Sequence, residues 1–188
     1  MTRCRKENLT HFAVTIVSKD RPGIVADVTE VLYHLGCNIE DSSCTMLGGD
    51  FAMILIVSHE LPFPREEIDR AFDLLNQRTG LVIHIRPLEE SEICPVEQTG
   101  ELCLISVYGS DRPGIVYRVT RTLADRGVNI TDLNTRLIGS VEAPVYVLML
   151  EAVIPSPLSI ADLEVILSSL KEELSVEIGV RSITPVAL

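Results

Sequence analysis

The stretch KDRPGIV, Lys19–Val25, returns as SDRPGIV, Ser110–Val116. The six letters DRPGIV are identical at an offset of 91 residues, and the match runs on. At the same offset Val28 pairs with Val119, Leu32 with Leu123, Gly36 with Gly127, Asn38-Ile39 with Asn129-Ile130, and Asp41 with Asp132. Past Gly48 and Gly139 the offset becomes 95, so that Phe51 falls on Tyr146, Leu75 on Leu170 and Arg86 on Arg181. The second copy therefore holds four extra residues near Ser140 to Pro144. Self-similarity of this length means that one supersecondary unit has been used twice.

Each copy gives the same elements. HFAVTIVS alternates Phe12, Val14 and Ile16, the period of a half-buried strand. After the DRPG turn, Ile24, Val28, Val31, Leu32 and Leu35 recur at steps of three and four, one apolar helix face. Gly36 and Gly127 end the helices, as a glycine at positive φ does. NIEDSSCTML is a more polar strand, Gly48-Gly49-Asp50 a hairpin turn, and FAMILIV a central strand, apolar on both faces. A second helix buries Ile68, Ala71, Phe72 and Leu75; its counterpart buries Leu163, Ile166, Leu167 and Leu170. LVIHIR and VEIGVR are fourth strands. The order βαββαβ predicts an α+β protein of two ferredoxin-like units, each an antiparallel sheet with its helices on one face. The expected domains are residues 9–87 and 101–185, joined by a polar, acidic linker over 88–100.

Composition narrows the function. Up to Glu90 there are 9 Lys and Arg against 14 Asp and Glu, and after it 7 against 13, within a net charge of −11. Phosphate neutralisation supplies most nucleic-acid affinity, so direct DNA or RNA binding is not expected. The five Cys (Cys4, Cys37, Cys44, Cys94, Cys103) are odd in number and form no CxxC, which reads as reduced, buried thiols. The four His are scattered, and no metal site is expected. No apolar run reaches about 18 residues and the N-terminus has no secretory signal, so a soluble, cytoplasmic chain without membrane contact is expected. No nucleophile elbow, P-loop or dinucleotide fingerprint occurs. The expectation is no enzyme and no cofactor. Met46, Met53 and Met149 read as core, Arg21 and Arg112 as exposed, and Glu89–Glu92 as solvated linker.

A βαββαβ unit whose first turn reads D-R-P-G-[IV], with G-x-N-I after its first helix, resembles the ACT domain, a regulatory module that commonly binds amino acids at domain interfaces. Two such domains and little else is similar to the family of the glycine cleavage system transcriptional repressor. The resemblance implies ligand contacts from Asp20 and Asn38 in the first copy and from Asp111 and Asn129 in the second, with backbone from Gly114 and Ile115.

The residue types suit a zwitterion. An acid meets the ammonium, and the N–H groups of a helix start meet the carboxylate. Gly23 and Gly114 remove a side chain so that ligand can approach the backbone at Ile24 or Ile115. Pro22 and Pro113 preset φ for the first helical turn. Asn38 and Asn129 can donate and accept. The same letters also serve as a plain helix start with Asp as cap, and Asn before Ile as a turn former. The resemblance thus implies a homodimeric sensor of a small amino acid that acts on a protein partner, a transcription factor or a metabolic enzyme. A regulatory subunit of a biosynthetic enzyme and a ligand-free scaffold are the alternatives.

Overall fold

The computed structural model describes residues 9–60, 65–93, 100–140 and 143–183. The chain divides into two compact units, Met1–Val96 and Glu97–Leu188. The first runs β1 (Leu9–Lys19), α1 (Ile24–His34), β2 (Asn38–Leu47), β3 (Asp50–Glu60), α2 (Arg65–Thr79), β4 (Val82–Pro87) and a short α3 (Glu90–Ile93). The second runs β5 (Glu101–Gly109), α4 (Ile115–Ala124), β6 (Asn129–Ser140), β7 (Ala143–Ile154), α5 (Ile160–Leu174) and β8 (Val176–Ser182). The sheets have strand order β2-β3-β1-β4 and β6-β7-β5-β8, antiparallel throughout. Each unit is therefore the ferredoxin-like βαββαβ fold that the pattern predicts.

Alternation and helical period meet in each core. Phe12, Val14 and Ile16 of β1 and Leu55 and Val57 of β3 turn to the face that receives Ile24, Val28 and Leu32 of α1 and Ile68, Phe72 and Leu75 of α2. In the second unit Cys103, Ile105 and Val107 meet Ile115, Val119, Leu123, Leu163 and Leu167. Both first helices end alike. Gly36 and Gly127 stand at φ 70°, and the next amides, Cys37 and Val128, reach back to the carbonyls of Leu32 and Leu123 at 2.9 and 3.1 Å. This is a Schellman closure, which satisfies carbonyls the helix would otherwise leave open. α5 starts on a capping box in which Ser159 and Asp162 satisfy each other's backbone amides.

The hairpins account for the four extra residues. Gly48 and Gly49, both at positive φ, turn the chain between the paired Leu47 and Asp50. Ile138 and Val145 form the equivalent pair, and beyond it two further pairs are added, Gly139 with Pro144 and Ser140 with Ala143. Positions 141–142 of the inserted stretch lie outside the described residues. A register shift falls at the same place in both edge strands, between Ile39 and Asp41 and between Ile130 and Asp132, the mark of a β-bulge.

Several expectations are corrected. Pro22 and Pro113 do not open the helices. Gly23 (φ 93°) and Gly114 (φ 100°) are the N-caps, so the prolines precede the cap and no side chain, Asp20 included, caps α1. Met46 is not core: it stands next to the end of the edge strand at 67% exposure, where no helix covers β2. Of the thiols, Cys103 is buried, Cys37 half-buried and Cys44 exposed, while Cys4 and Cys94 lie outside the described residues. The linker is partly structured, because α3 lies in it and Arg86 holds Glu92 at 2.7 Å; residues 94–99 lie outside the described residues. Arg21 is half-buried in an ion pair rather than free in solvent.

Candidate functional site

β2 is the edge of its sheet, and α1 does not extend over it. Because direct cross-strand partners share a face, Met46 opposite Phe51 and Cys44 opposite Met53 point to the helix side, beside α1 rather than beneath it. The result is an open groove of about 630 Å³. Its helix wall is Ile24, Val25, Ala26 and Thr29; its strand wall is Cys44, Thr45, Met46 and Phe51. Asp20, Arg21 and Gly23 form one end.

That end is polar and held. Arg21 Nη2 donates to Asp27 Oδ2 at 2.6 Å, and Nη1 to the Pro22 carbonyl at 3.2 Å. The Asp20 amide donates to the Gly49 carbonyl at 3.0 Å, which ties the loop to the tip of the β2–β3 hairpin and leaves the Asp20 carboxylate exposed. The rest of the groove offers little polarity. Thr29 Oγ1 donates back to the Val25 carbonyl at 2.8 Å, so its hydroxyl proton is spent on the helix. Gly23 is demanded by its φ of 93° whether or not anything approaches it.

Asp20, Pro22, Gly23 and Ile24 thus gather at one end of the sheet, and Asn38 does not join them. Asn38 begins β2 and pairs with Ser58, whereas the hairpin beside Asp20 is the far end of that strand. Nine residue steps at about 3.3 Å separate the ends, roughly 30 Å. No site within one domain includes both. Asn38 instead donates its amide to Glu40 Oε1 at 2.8 Å, and Ser58 Oγ, only 2% exposed, donates to the same oxygen at 2.6 Å. The second unit replaces this cluster, since Thr131 stands for Glu40 and Val153 for Ser58. Asn129 there is exposed, opposite Val153.

Asp111, Pro113, Gly114 and Ile115 cluster at the start of α4 as their counterparts do at α1, but the surroundings differ. Asp27 is replaced by Arg118, Ala26 by Tyr117, Cys44 by Thr135 and Phe51 by Tyr146. Arg118 turns away to Glu173 of α5 at 2.6 Å, and that carboxylate holds its guanidinium above the usual range. Gly109, two residues before Asp111, is required by packing: a Cβ there would sit 2.7 Å from Val176 Cγ1. A second groove in this unit lies at the end of β5, lined by Tyr108, Gly109, Ser110, Val145, Lys171 and Glu172 among others.

Met46 and Cys44 were read from the sequence as core and buried thiol and not as groove residues, and Asp27 was not singled out. The exchanges Asp27/Arg118 and Ala26/Tyr117 are visible in the aligned copies and were the signal that could have found one wall of the groove. Burial pushes the Cys37 and Cys103 thiols up to about 11, so both are protonated at neutral pH. Among the described residues no group of three or more His, Cys, Asp and Glu is placed to hold a metal, and no helix is long and apolar enough to cross a membrane.

The comparisons with known proteins agree with this architecture. The ACT domain family matches residues 10–85 and again 101–181. A glycine cleavage system transcriptional repressor of Escherichia coli is 44% identical over 48 residues, 26% of this chain and only 25% of the repressor. A UPF0237 protein of Streptococcus mutans is 33% identical over 73 residues, 39% of this chain and 83% of its own. Among solved structures, a protein of unknown function from Galdieria sulphuraria superposes with a TM-score of 0.78 at 30% identity, over 94% of this chain and 99% of that one. A protein provisionally assigned as a glycine cleavage system transcriptional repressor shares the fold at a TM-score of 0.68 and 23% identity, over the same shares. With two matching segments that together span most of its length, the chain belongs to the ACT domain family.

Proposed function

We propose that this chain is an amino-acid sensor that passes its ligand state to a protein partner. One observation carries the reading: the groove beside α1 has a guanidinium, Arg21, and a carboxylate, Asp20, at one end, with Arg21 held by Asp27, and mostly apolar walls along the rest. A zwitterion complements such an end, its carboxylate toward Arg21 and its ammonium toward Asp20. The ACT domains occupy residues 9–87 and 101–185 in this reading. Asp20, Pro22, Gly23 and Ile24 shape the first ligand site, and Asp111, Pro113, Gly114 and Ile115 the corresponding place in the second domain. Asn38 and Asn129, at the opposite ends of their sheets, contribute only across an interface with another domain.

The long, exposed edge strands β2 and β6 favour a homodimer, because an unpaired edge is stabilised by pairing. Ligand shifts the arrangement of domains by no more than its difference in affinity between the two arrangements. The partner is a cytoplasmic protein, and the relative named as a glycine cleavage repressor makes indirect transcriptional regulation the leading case. The net charge of −11 suits action through another protein rather than on DNA.

The test is a thermal-shift screen of the full chain against the common amino acids, followed by calorimetry. A ligand at about 100 times Kd adds roughly 2.7 kcal/mol, and the shift disappears in Asp20→Ala. Absence of any shift at millimolar concentrations refutes sensing and leaves an interaction scaffold.

A further inference from the structure

We infer that, of the two equivalent helix-start grooves, the first domain's is the one that takes an amino acid and that it selects an aliphatic or thioether side chain over glycine or serine. The inference rests on the sensing function proposed above and concerns what the groove reads.

The volume is the first argument. About 630 Å³ lies in the range of ligand sites, roughly 300–1,000 Å³. A glycine held at the Arg21 end would leave the walls beyond it to water. The walls themselves are the second. Met46 is 67% exposed and Val25 44% exposed, beside Phe51 and Cys44. These are apolar or polarisable surfaces, and burial of apolar area drives binding in proportion to the area covered. The third argument is what the walls lack. The Thr29 hydroxyl proton is already donated to the helix, and among the described residues Thr45 is the one other side-chain hydroxyl of the lining. A serine side chain is too short to cover the apolar walls and gains little from them, which counts against it. A leucine or methionine side chain would cover Met46 and Val25 and need no partner.

The second domain is an internal control. Its copy of the groove has the Tyr117 ring, 65% exposed, in place of Ala26, and a cation, Arg118, in place of Asp27. Arg118 is drawn to Glu173, so Arg112 has no acid from that position to hold it as Asp27 holds Arg21. The charge pair that fixes the polar end of the first groove is therefore not built in the second.

The experiment is calorimetry on the full chain with leucine, methionine, glycine and serine as probes. The expected result is one leucine or methionine bound per chain, at least about tenfold tighter than glycine or serine. Met46→Asp should weaken leucine binding at least about tenfold, while the matched Leu137→Asp should leave it unchanged. Both positions are exposed, at 67% and 59%. A measurement free of any variant runs alongside: leucine should slow iodoacetamide alkylation of Cys44 in the wild-type protein, read by peptide mass mapping. Glycine or serine binding as tightly as leucine would overturn the selectivity and leave sensing intact. Leucine binding lost in Leu137→Asp but kept in Met46→Asp would move the site to the second domain and overturn the assignment. If none of the four binds and Cys44 alkylates at one rate throughout, the inference fails, and the screen against the remaining amino acids decides whether sensing stands.

Discussion

Gly114 and Gly109 stand five residues apart and are glycines for different reasons, and a pair of substitutions at each separates them. Gly114 caps α4 at φ 100°, with nothing within 4 Å of where a Cβ would be. Alanine there meets no clash and loses only the conformational term, roughly 1–2 kcal/mol for an L-residue in the left-handed region. Asparagine tolerates that region better, so Gly114→Asn should lose less than Gly114→Ala. Gly109 lies in β5 without a positive φ, but its Cβ would stand 2.7 Å from Val176 Cγ1 and 3.1 Å from the Ser175 carbonyl. Overpacking of this kind costs about 1–3 kcal/mol, and a larger side chain makes it worse. Asparagine should therefore be milder than alanine at 114 and harsher at 109. The assay is thermal unfolding of the full chain, where each kcal/mol moves a domain of this size by about 4–8 °C. The same ranking of Ala and Asn at both positions, or a Gly114→Ala protein that melts with the wild type, would refute the reasoning.

Removing the α5 cap with Ser159→Ala should cost about 0.5–2 kcal/mol in urea unfolding, and Ser159→Thr should recover most of it. Ser159 hydrogen bonds hold the Asp162 carboxyl below its ordinary range. Its contribution is therefore present above the ordinary carboxylate pKa and lost as pH falls through the lowered folded value; an Asp162→Asn protein should show a flatter urea midpoint across that acid window. In the native protein Cys44 should alkylate before Cys37 and Cys103, whose buried thiols sit near 11 against an ordinary 9.0. The stability those neutral thiols contribute is whole below pH 9 and declines as pH rises toward 11, which alkaline melting checks against Cys103→Ala. Glu40→Ala deprives the buried Ser58 hydroxyl of its acceptor and should cost about 1–3 kcal/mol; Glu40→Thr with Ser58→Val, which copies the second domain, should recover much of that in denaturant titration.

The fold was legible because two copies agree. One Val or Leu at helical spacing proves little, but Val28 with Val119 and Leu32 with Leu123, framed by Gly36 and Gly127, leave one reading of the period. The candidate site was less so. Pro-Gly reads statistically as a helix start with proline inside it, yet a glycine at positive φ cannot be a helical residue, and this moves the start to Ile24. The separation of Asn38 from Asp20 follows from topology: β1 and β2 both run antiparallel to β3, so the start of β2 lies at the end of the sheet opposite the end of β1. Met46 is a different case. Its apolar character suggests core, and only the strand order, which places β2 at an edge beyond the cover of α1, shows that it faces a groove.

The two-residue hairpin tip of the first domain closes on the pair Leu47–Asp50, and the second domain closes two pairs further out, on Ser140–Ala143. Antiparallel pairs alternate between two hydrogen-bonding types, and a tight turn fits only one of them. One added pair would present the wrong type to the turn; two restore the phase. Four residues is thus the smallest insertion that lengthens the hairpin and keeps its closure, and four is what the second copy has. The sheet absorbs that change, but the neighbouring loop does not. In the first domain the hairpin tip is also a mooring, since the Gly49 carbonyl takes the Asp20 amide at 3.0 Å. With the tip displaced outward, Asp111 makes no such bond among the described residues. A length change that is silent in the sheet thus falls at the very place where the first domain moors its DRPG loop.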